Sequence, residues 1–390
     1  RGLGTRDPAE ANAQRESVLN DIKANLFAEP NPPKQPRGKT TAQRVGPVAS
    51  GKGTTIAETA RQWLAEADGI ATATRARYRQ HLEAFERYTG NVEVTKSNRA
   101  MALGFMDHLK SRPSERTGQP LSLRSLGSYQ VCLSSYWRVL EHWGLVDQDM
   151  KNPFSSLLRR LAGHRKKVDP RKKNLRPVKR EEAEALLRYI ATNDRLKYQR
   201  EMFVTVRLLW ATACRLNEIA SLAVSDIADH GEYMSLSITK AQTDAGNRTV
   251  MVVGKDDCDL LRQTVRRAVV TKPVSADNSG LLFPRLLRGG YDRKLGHYLG
   301  KAFEVARKKL PHGKEWDMHS FRRTGVSALV NAGVARGERN LAVGHANSDD
   351  IGMSVYAKHG DLREIIRATF EAMNEELGGS LKVNLPGAAS

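Results

Sequence analysis

Apolar residues recur every three or four positions through residues 54–160, a spacing that predicts four amphipathic helices. In chain order, their apolar stripes are Ile56, Ala60, Trp63 and Leu64; Tyr78, Leu82 and Phe85; Met101, Phe105, Met106 and Leu109; and Leu126, Tyr129, Leu133, Tyr136, Trp137 and Leu140. Thr54 or Thr55 can cap the first helix. Asn152-Pro153 ends the group, because a residue before proline avoids the helical conformation.

The pattern changes after residue 180. Helical spacing continues at 180–192, 199–212, 256–270, 292–309, 319–332, 350–357 and 361–377. Alternation over 233–240 and 248–253 predicts two strands, and Gly246-Asn247 favours a turn between them. The expected fold is therefore mostly α: a helical domain, followed by a mainly helical domain with a small antiparallel β-sheet.

Stretches poor in apolar residues predict the domain limits. Residues 1–29 form a sparse helix, 30–53 a flexible linker rich in Pro, Gly, Lys and Arg, and 161–179 a second basic linker. From 165 to 180 nine of sixteen residues are basic, so we expect an extended tether rather than a self-repelling helix. A nuclear-localisation signal is the competing interpretation. The domains are then 54–160 and 180–377, with a tail at 378–390.

Charge narrows the choice of partner. The 390 residues include 63 Lys and Arg against 43 Asp and Glu, a net charge of +20, which favours binding to polyanions such as nucleic acid. A ribosome-associated or merely basic globular protein is the alternative. The basic residues predicted to contact DNA are Arg75, Arg77, Arg79, Lys166, Lys167, Arg171, Lys172, Lys173 and Arg176.

Other classes are disfavoured by what the sequence lacks. No apolar run approaches the roughly 18–20 residues of a membrane helix, and the start does not look like a secretion signal. The three cysteines Cys132, Cys214 and Cys258 are too few and too scattered for a disulfide framework or a zinc site. We expect a cytoplasmic protein, associated with the nucleoid, that uses no metal or other cofactor.

Four short segments of the second domain concentrate polar groups suited to a phosphodiester. They are TACRLNEI around Arg215, ITK ending at Lys240, HSFRRT with His319 and Arg322, and VGHANSDDIGMSVYAKH with His345 and Tyr356. His319 and Arg322 are three apart, so they share a helix face and can contact one group together. A pair of this kind is a weak signal by itself, but the order of all four segments is specific.

The order of these groups resembles that of the tyrosine recombinase (phage integrase) family. In this chain it is Arg215, Lys240, the HxxR pair, Gly344-His345 and then Tyr356. The resemblance implies a catalytic domain over about 180–370 and a core-binding domain over 54–160, which together form a C-shaped clamp on DNA. Residues 1–29 would be the remnant of an amino-terminal arm-binding module.

The resemblance also assigns the roles. Tyr356 would be the nucleophile that forms a 3′-phosphotyrosyl link, and Lys240 the acid that protonates the leaving 5′-oxygen, with Lys255 as a second candidate. Arg215 and Arg322 would stabilise the phosphate charge, since a guanidinium offers two parallel hydrogen bonds, and His319 and His345 would assist. Strict alternation sets Lys240 on the apolar face of its strand, which requires a bend or a mobile loop.

The function implied is a site-specific DNA recombinase acting on double-stranded DNA, as a homodimer on one site and a homotetramer in the synapse, with possible accessory DNA-bending or directionality factors. The tail could pack on its own domain, but our hypothesis is that Leu381 to Leu385 add to the sheet edge of a neighbouring protomer. Alternatives are a type IB topoisomerase-like relaxing enzyme and a non-catalytic DNA-binding regulator of the same fold. Glu218 is expected to orient Arg215.

Overall fold

The structure, a computed structural model, describes residues 53–114, 118–147, 149–158, 175–239, 246–345 and 362–384. Within them the chain is mostly helical with one small antiparallel sheet, which confirms the predicted fold class. Two separate hydrophobic cores form, one from residues 56–157 and the other from residues 178–383. None of the described helices combines the length and the apolar character needed to cross a bilayer.

In the described part of the first domain, four helices enclose the core, and the predicted stripes face inward. The helices are α1 (Ile56–Glu66), α2 (Thr72–Thr89), α3 (Arg99–Ser111) and α4 (Leu123–His142). The side chains of Thr55, Asn98 and Ser122 cap α1, α3 and α4 by accepting a hydrogen bond from the first turn. Phe85 and Trp137 are fully buried between the helices.

His81 of α2 is a buried histidine in this first core. Its ring stacks on Tyr129 with centroids 3.8 Å apart, and its Nε2 lies 3.0 Å from the Ser128 hydroxyl. Burial, and then the charge of Arg77, lower the pKa of His81 to about 4. The folded chain therefore keeps this ring neutral at pH values where the unfolded chain, with a pKa of about 6.5, binds a proton.

Stability should consequently depend on pH through His81. We expect the contribution of the neutral ring to be complete above about pH 6.5 and to be lost as the pH falls toward 4, by about 2–3 kcal/mol in total. His81→Gln should remove this part of the dependence. Urea unfolding of both proteins at pH 7, 5.5 and 4 measures it, and an unchanged pH slope in H81Q would contradict the assignment.

The second core lies among the eight helices described after residue 175. They are α5 (Arg180–Thr192), α6 (Gln199–Thr212), α7 (Leu216–Ala220), α8 (Lys255–Val270), α9 (Gly296–Arg307), α10 (Met318–Asn331), α11 (Arg336–Val343) and α12 (Leu362–Glu376). Helix α6 is central, with every residue from Met202 to Thr212 buried. The rings of Phe303, Trp316 and Phe321 pack edge to face, and they hold α9 and α10 together.

The sheet has the order β1-β2-β3 and is antiparallel throughout. Its strands are β1 (Ile227–Asp229), β2 (Met234–Ile238) and β3 (Arg248–Val252). The predicted hairpin is present, and its last pair joins Ile238 to Arg248. Strand β1 was not predicted, because three residues are too few to establish an alternation.

The predicted and observed helices of the second domain do not agree everywhere. The helix expected from residue 292 begins only at Gly296, because Gly289 and Lys294 pair across a tight turn before it. Helix α11 was not predicted, since its eight residues carry few apolar positions. The helix predicted at 350–357 lies outside the described residues.

The tail packs on its own domain in this single chain, where the sequence suggested donation to a neighbour. Leu381 and Val383 are buried in the second core. Arg180 donates hydrogen bonds to four successive tail carbonyls, and Arg207 donates to the Val383 carbonyl. These side chains satisfy the tail backbone inside one protomer, while Leu385 lies outside the described residues.

Candidate active site

The turn after α6 carries Arg215 to the surface of the site. Ala213 ends the helix in the left-handed region, with a φ of 52°, a conformation that costs a non-glycine residue about 1–2 kcal/mol. Gly325 of α10 leaves room for this turn, because a Cβ there would lie 2.5 Å from the Ala213 Cβ. Arg215 follows as the N-cap of α7 and keeps about a third of its side chain exposed.

Glu218 fixes Arg215 in place, as expected from the sequence. One oxygen of the buried carboxylate accepts a 2.8 Å hydrogen bond from the Arg215 backbone N–H, and the other accepts a 2.7 Å bond from its guanidinium. Burial raises the pKa of Glu218, but the hydrogen bonds and charges of Arg248 and Arg215 outweigh burial and leave the pKa below its usual value. The carboxylate is therefore ionised and holds the Arg215 side chain in one orientation.

Arg322 lies beneath the surface and joins two chain segments. Its guanidinium donates a 3.0 Å hydrogen bond to the Ala213 carbonyl and another to the Val343 carbonyl. These acceptors lie two residues before Arg215 and two residues before His345. Because a guanidinium has five N–H groups, the two carbonyls fix its plane and leave capacity for an anion.

The two predicted histidines border this buried arginine. His319 is in the first turn of α10, one helical turn before Arg322, and His345 directly follows Gly344, which ends α11 with a φ of 66°. Both side chains are exposed. The backbone N–H of His345 donates a 3.0 Å hydrogen bond to the Asn340 carbonyl, which holds the end of α11 in shape.

Burial and neighbouring positive charges lower the pKa values of the basic groups in this site. Burial, followed by the charges of Arg215 and Arg248, lowers the pKa of Arg322 to about 10, so it stays protonated at pH 7. Desolvation and the charge of Arg322 lower the pKa of both His319 and His345. Both histidines are therefore neutral at pH 7 in the absence of a bound anion.

Positive charge exceeds negative charge in the described part of this site. It combines three guanidinium groups, those of Arg215, Arg248 and Arg322, with the buried carboxylate of Glu218, and the charge of Asp317 also reaches His319. Such an arrangement attracts an anion that can approach Arg215 from the solvent. Among the described residues, no group of three or more His, Cys, Asp or Glu side chains could hold a metal ion.

Two predicted catalytic residues, Lys240 and Tyr356, lie outside the described residues. In the described part of the hairpin, β2 ends at Ile238, two residues before Lys240. The second candidate acid, Lys255, begins α8 and is exposed. The residue before it, Gly254, lies against Ser380 of the tail.

The predicted DNA-binding arginines of α2 do not form one surface. Arg75 and Arg79 are four apart and line a cleft of about 600 Å³ between α1 and α2, together with Glu83 and Glu86. Arg77 is two residues from each of them, so it projects from the other side of the helix. The Arg75 guanidinium also donates to the Ala67 carbonyl, which ties it to the preceding loop.

The predicted contacts of the basic linker fall mostly beyond the described part of the chain. Lys166, Lys167, Arg171, Lys172 and Lys173 lie outside the described residues. Arg176 is described, and its guanidinium forms ion pairs with Glu182 and Glu315. A DNA phosphate would have to compete with these two carboxylates for Arg176.

Arg248 is the site residue that the sequence analysis missed. It is the first residue of β3 and is buried, with its guanidinium 3.0 Å from Glu218. The available signal was a charged residue at a position whose alternation partners, Val250 and Val252, are apolar. A charge on the buried face of a strand is costly unless it is paired, so it points to a partner inside the fold.

Comparison with known proteins agrees with this geometry. The sequence model of the phage integrase family matches residues 176–362, a stretch that includes all six predicted catalytic residues. Comparison with curated proteins gives no match.

Several solved structures have a similar fold. The Tn1549 transposon integrase in complex with transposon right end DNA is 17% identical, with a TM-score of 0.56 over 82% of this chain and 99% of that one. The XerH site-specific recombinase bound to a palindromic difH substrate is 17% identical, with a TM-score of 0.53 over 80% and 83%. A lambda integrase tetramer bound to a Holliday junction is 13% identical, with a TM-score of 0.50 over 88% and 89%. At these identities the likeness establishes the tyrosine recombinase fold.

Proposed function

We propose that this chain, whose residues 176–362 match the model of the phage integrase family, is a site-specific DNA recombinase that cleaves and rejoins DNA through a 3′-phosphotyrosyl intermediate. The observation that carries the proposal is the convergence of Arg215, His319, Arg322 and His345 around an excess of positive charge. A phosphodiester is the anion that such a cluster would bind in DNA.

The arginines supply the electrostatic part of the reaction. Attack on a phosphodiester adds negative charge to the non-bridging oxygens, and donors that are oriented beforehand stabilise this charge most effectively. Arg215 is held by Glu218, and Arg322 is held by two backbone carbonyls. Neither side chain has to reorganise when the transition state forms.

The covalent steps are assigned to Tyr356 and Lys240. The Tyr356 oxygen attacks phosphorus and loses its proton, the bond from phosphorus to the 5′-oxygen breaks, and Lys240 gives a proton to that leaving oxygen. Deprotonating a phenol with a pKa near 10 costs about 4 kcal/mol at pH 7. Neighbouring cations that stabilise the phenolate and a neutral histidine that accepts the proton offset this cost. The low pKa of His319 leaves its ring free to accept the proton.

Rejoining reverses these steps on a different strand. The phosphotyrosyl link conserves the energy of the broken bond, so the 5′-hydroxyl of a partner strand can attack it and release Tyr356. Exchange between two duplexes requires one protomer per strand, which supports a homodimer on each site, a homotetramer in the synapse and a Holliday junction between the two exchanges. We place this activity on chromosomal or mobile-element DNA in the cytoplasm.

A nicked substrate tests the proposal directly. Cleavage near a nick lets a short 5′-hydroxyl fragment diffuse away, which traps the protein on the 3′-end. A library of nicked duplexes from the DNA flanking the gene should yield adducts that survive denaturing electrophoresis, and sequencing of the trapped ends identifies the site. A second duplex with a matching 5′-hydroxyl should then be joined to the trapped strand.

The trapped site, once identified, separates the alternatives. A relaxing enzyme would form the adduct and relax a supercoiled plasmid, but two intact duplexes that carry the site would yield neither a Holliday junction nor recombinant products. A regulator that only binds DNA would retard the duplex and give no adduct. Either result contradicts the recombinase assignment.

A further inference from the structure

Arg248 is buried, yet its side chain makes more hydrogen bonds than packing in a hydrophobic core would need. Its side chain is 2% exposed, and it donates to the Ala342 and Gly246 carbonyls at 2.8 Å each and to Glu218 at 3.0 Å. The Cys214 sulfur lies 3.4 Å from the same guanidinium. Gly344 leaves room for it, because a Cβ there would lie 2.9 Å from Nη1.

A buried charge at this position is unfavourable for stability alone. The other residues of β3 on this face, Val250 and Val252, are apolar, and an apolar residue would continue the strand without desolvation of a cation. Replacing buried ion pairs by well-packed apolar groups is often neutral or stabilising. Arg248 is therefore better explained by the groups that it orients than by a contribution to the stability of the fold.

The contacts of Arg248 reach three segments of the candidate active site. Glu218 is the residue that holds Arg215, and Ala342 lies three residues before His345. Gly246 closes the hairpin loop that contains Lys240. One guanidinium thus connects the segments that carry three of the predicted catalytic groups.

We propose that Arg248 is a positioning residue for DNA cleavage, which orients Arg215 through Glu218 and His345 through the end of α11. The proposal rests on the proposed function and assigns Arg248 no contact with DNA. Without this guanidinium, Glu218 retains Arg215 as its one ionic partner among the described residues, and the Ala342 carbonyl loses the hydrogen bond from Arg248. Arg215 and His345 are then no longer held in one orientation before the reaction, and ordering them raises the barrier to cleavage.

The test measures the cleavage rate and the DNA affinity separately. Arg248→Met should slow single-turnover adduct formation at saturating protein about 10–50-fold and change the Kd for the duplex less than about threefold, since the groups lost act in the transition state. Arg248→Lys should recover part of the rate, because an ammonium can still pair with Glu218 but cannot reach both carbonyls. Arg307→Met is the matched control, since Arg307 is equally buried and pairs with Glu304 and the Gly313 carbonyl away from the site.

A second substrate separates positioning from general loss of structure. In a methylphosphonate linkage, one charged oxygen is replaced by a methyl group, so less negative charge needs stabilisation. The rate ratio of wild type to R248M should therefore be smaller on methylphosphonate than on phosphodiester. Equal ratios on both linkages, a parallel loss of affinity and rate, or a similar defect in R307M would overturn the proposal. Wild-type protein that forms no adduct with any phosphodiester would instead contradict the proposed function.

Discussion

Tyr356→Phe abolishes adduct formation on a nicked duplex and leaves DNA binding nearly intact, if the proposed chemistry holds. The substitution removes one oxygen, and that oxygen is the atom that forms the bond to phosphorus. We expect the cleavage rate to fall by more than about 10⁴-fold, as happens when a covalent enzyme loses its nucleophile. Denaturing electrophoresis measures the adduct, and retardation in a native gel measures the binding.

Tyr189→Phe is a suitable control for this experiment. Tyr189 is on α5, and its hydroxyl accepts a hydrogen bond from Asn193, which directly follows this helix, so Y189F changes a tyrosine elsewhere in the same domain. Y189F should form the adduct at the wild-type rate. An adduct of undiminished yield in Y356F would show that another residue attacks the phosphate.

Arg322→Lys should reduce cleavage by about 10²-fold at pH 7, and the defect should grow as the pH rises. A lysine cannot bridge the Ala213 and Val343 carbonyls and also bind a phosphate oxygen as a planar fork. The burial and cationic neighbours that bring the pKa of Arg322 down to about 10 would lower the pKa of a lysine below its usual value near 10.4. Deprotonation with rising pH then removes the charge from the variant while the wild type stays charged.

The measurement is the ratio of wild-type to R322K single-turnover rates between pH 6.5 and 9. A ratio removes the effect of Tyr356 ionisation, which both proteins share. Arg323→Lys controls for substitution in the same helix, because Arg323 donates to the Leu175 carbonyl. A ratio that stays constant or shrinks with rising pH would contradict the role of Arg322 as a charge fixed on the phosphate.

The order of chemical groups along the chain predicts the candidate catalytic residues, and the spacing between neighbours predicts two local pairings among them. The HxxR spacing set His319 and Arg322 on one helix face, and the structure joins them to Arg215 and His345. The pairing of Glu218 with Arg215 was also predicted, because residues three apart can meet. The two local placements, His319 with Arg322 and Arg215 with Glu218, agree with the structure because each depends on a spacing of three residues at a helix.

Arg248 could not be found in this way, because its partners are distant in sequence. Glu218 is 30 residues away and Ala342 is 94 residues away. A strand residue meets such partners only after the sheet, α7 and α11 have packed together. The separation of Arg75 and Arg79 from Arg77 is different, since helix geometry alone predicts it: residues four apart share a face of a helix and residues two apart do not.

The sequence by itself determined the two helical domains, the hairpin and the identity of the groups available for phosphodiester chemistry, because spacing and residue type are properties of short segments. The tertiary structure decided which groups meet: that the Ala213 and Val343 carbonyls fix Arg322, that Arg248 shares Glu218 with Arg215, and that Leu381 and Val383 pack on their own domain. These contacts depend on the balance between desolvation of a charge and the partners that surround it, and such partners are assembled only when the core forms.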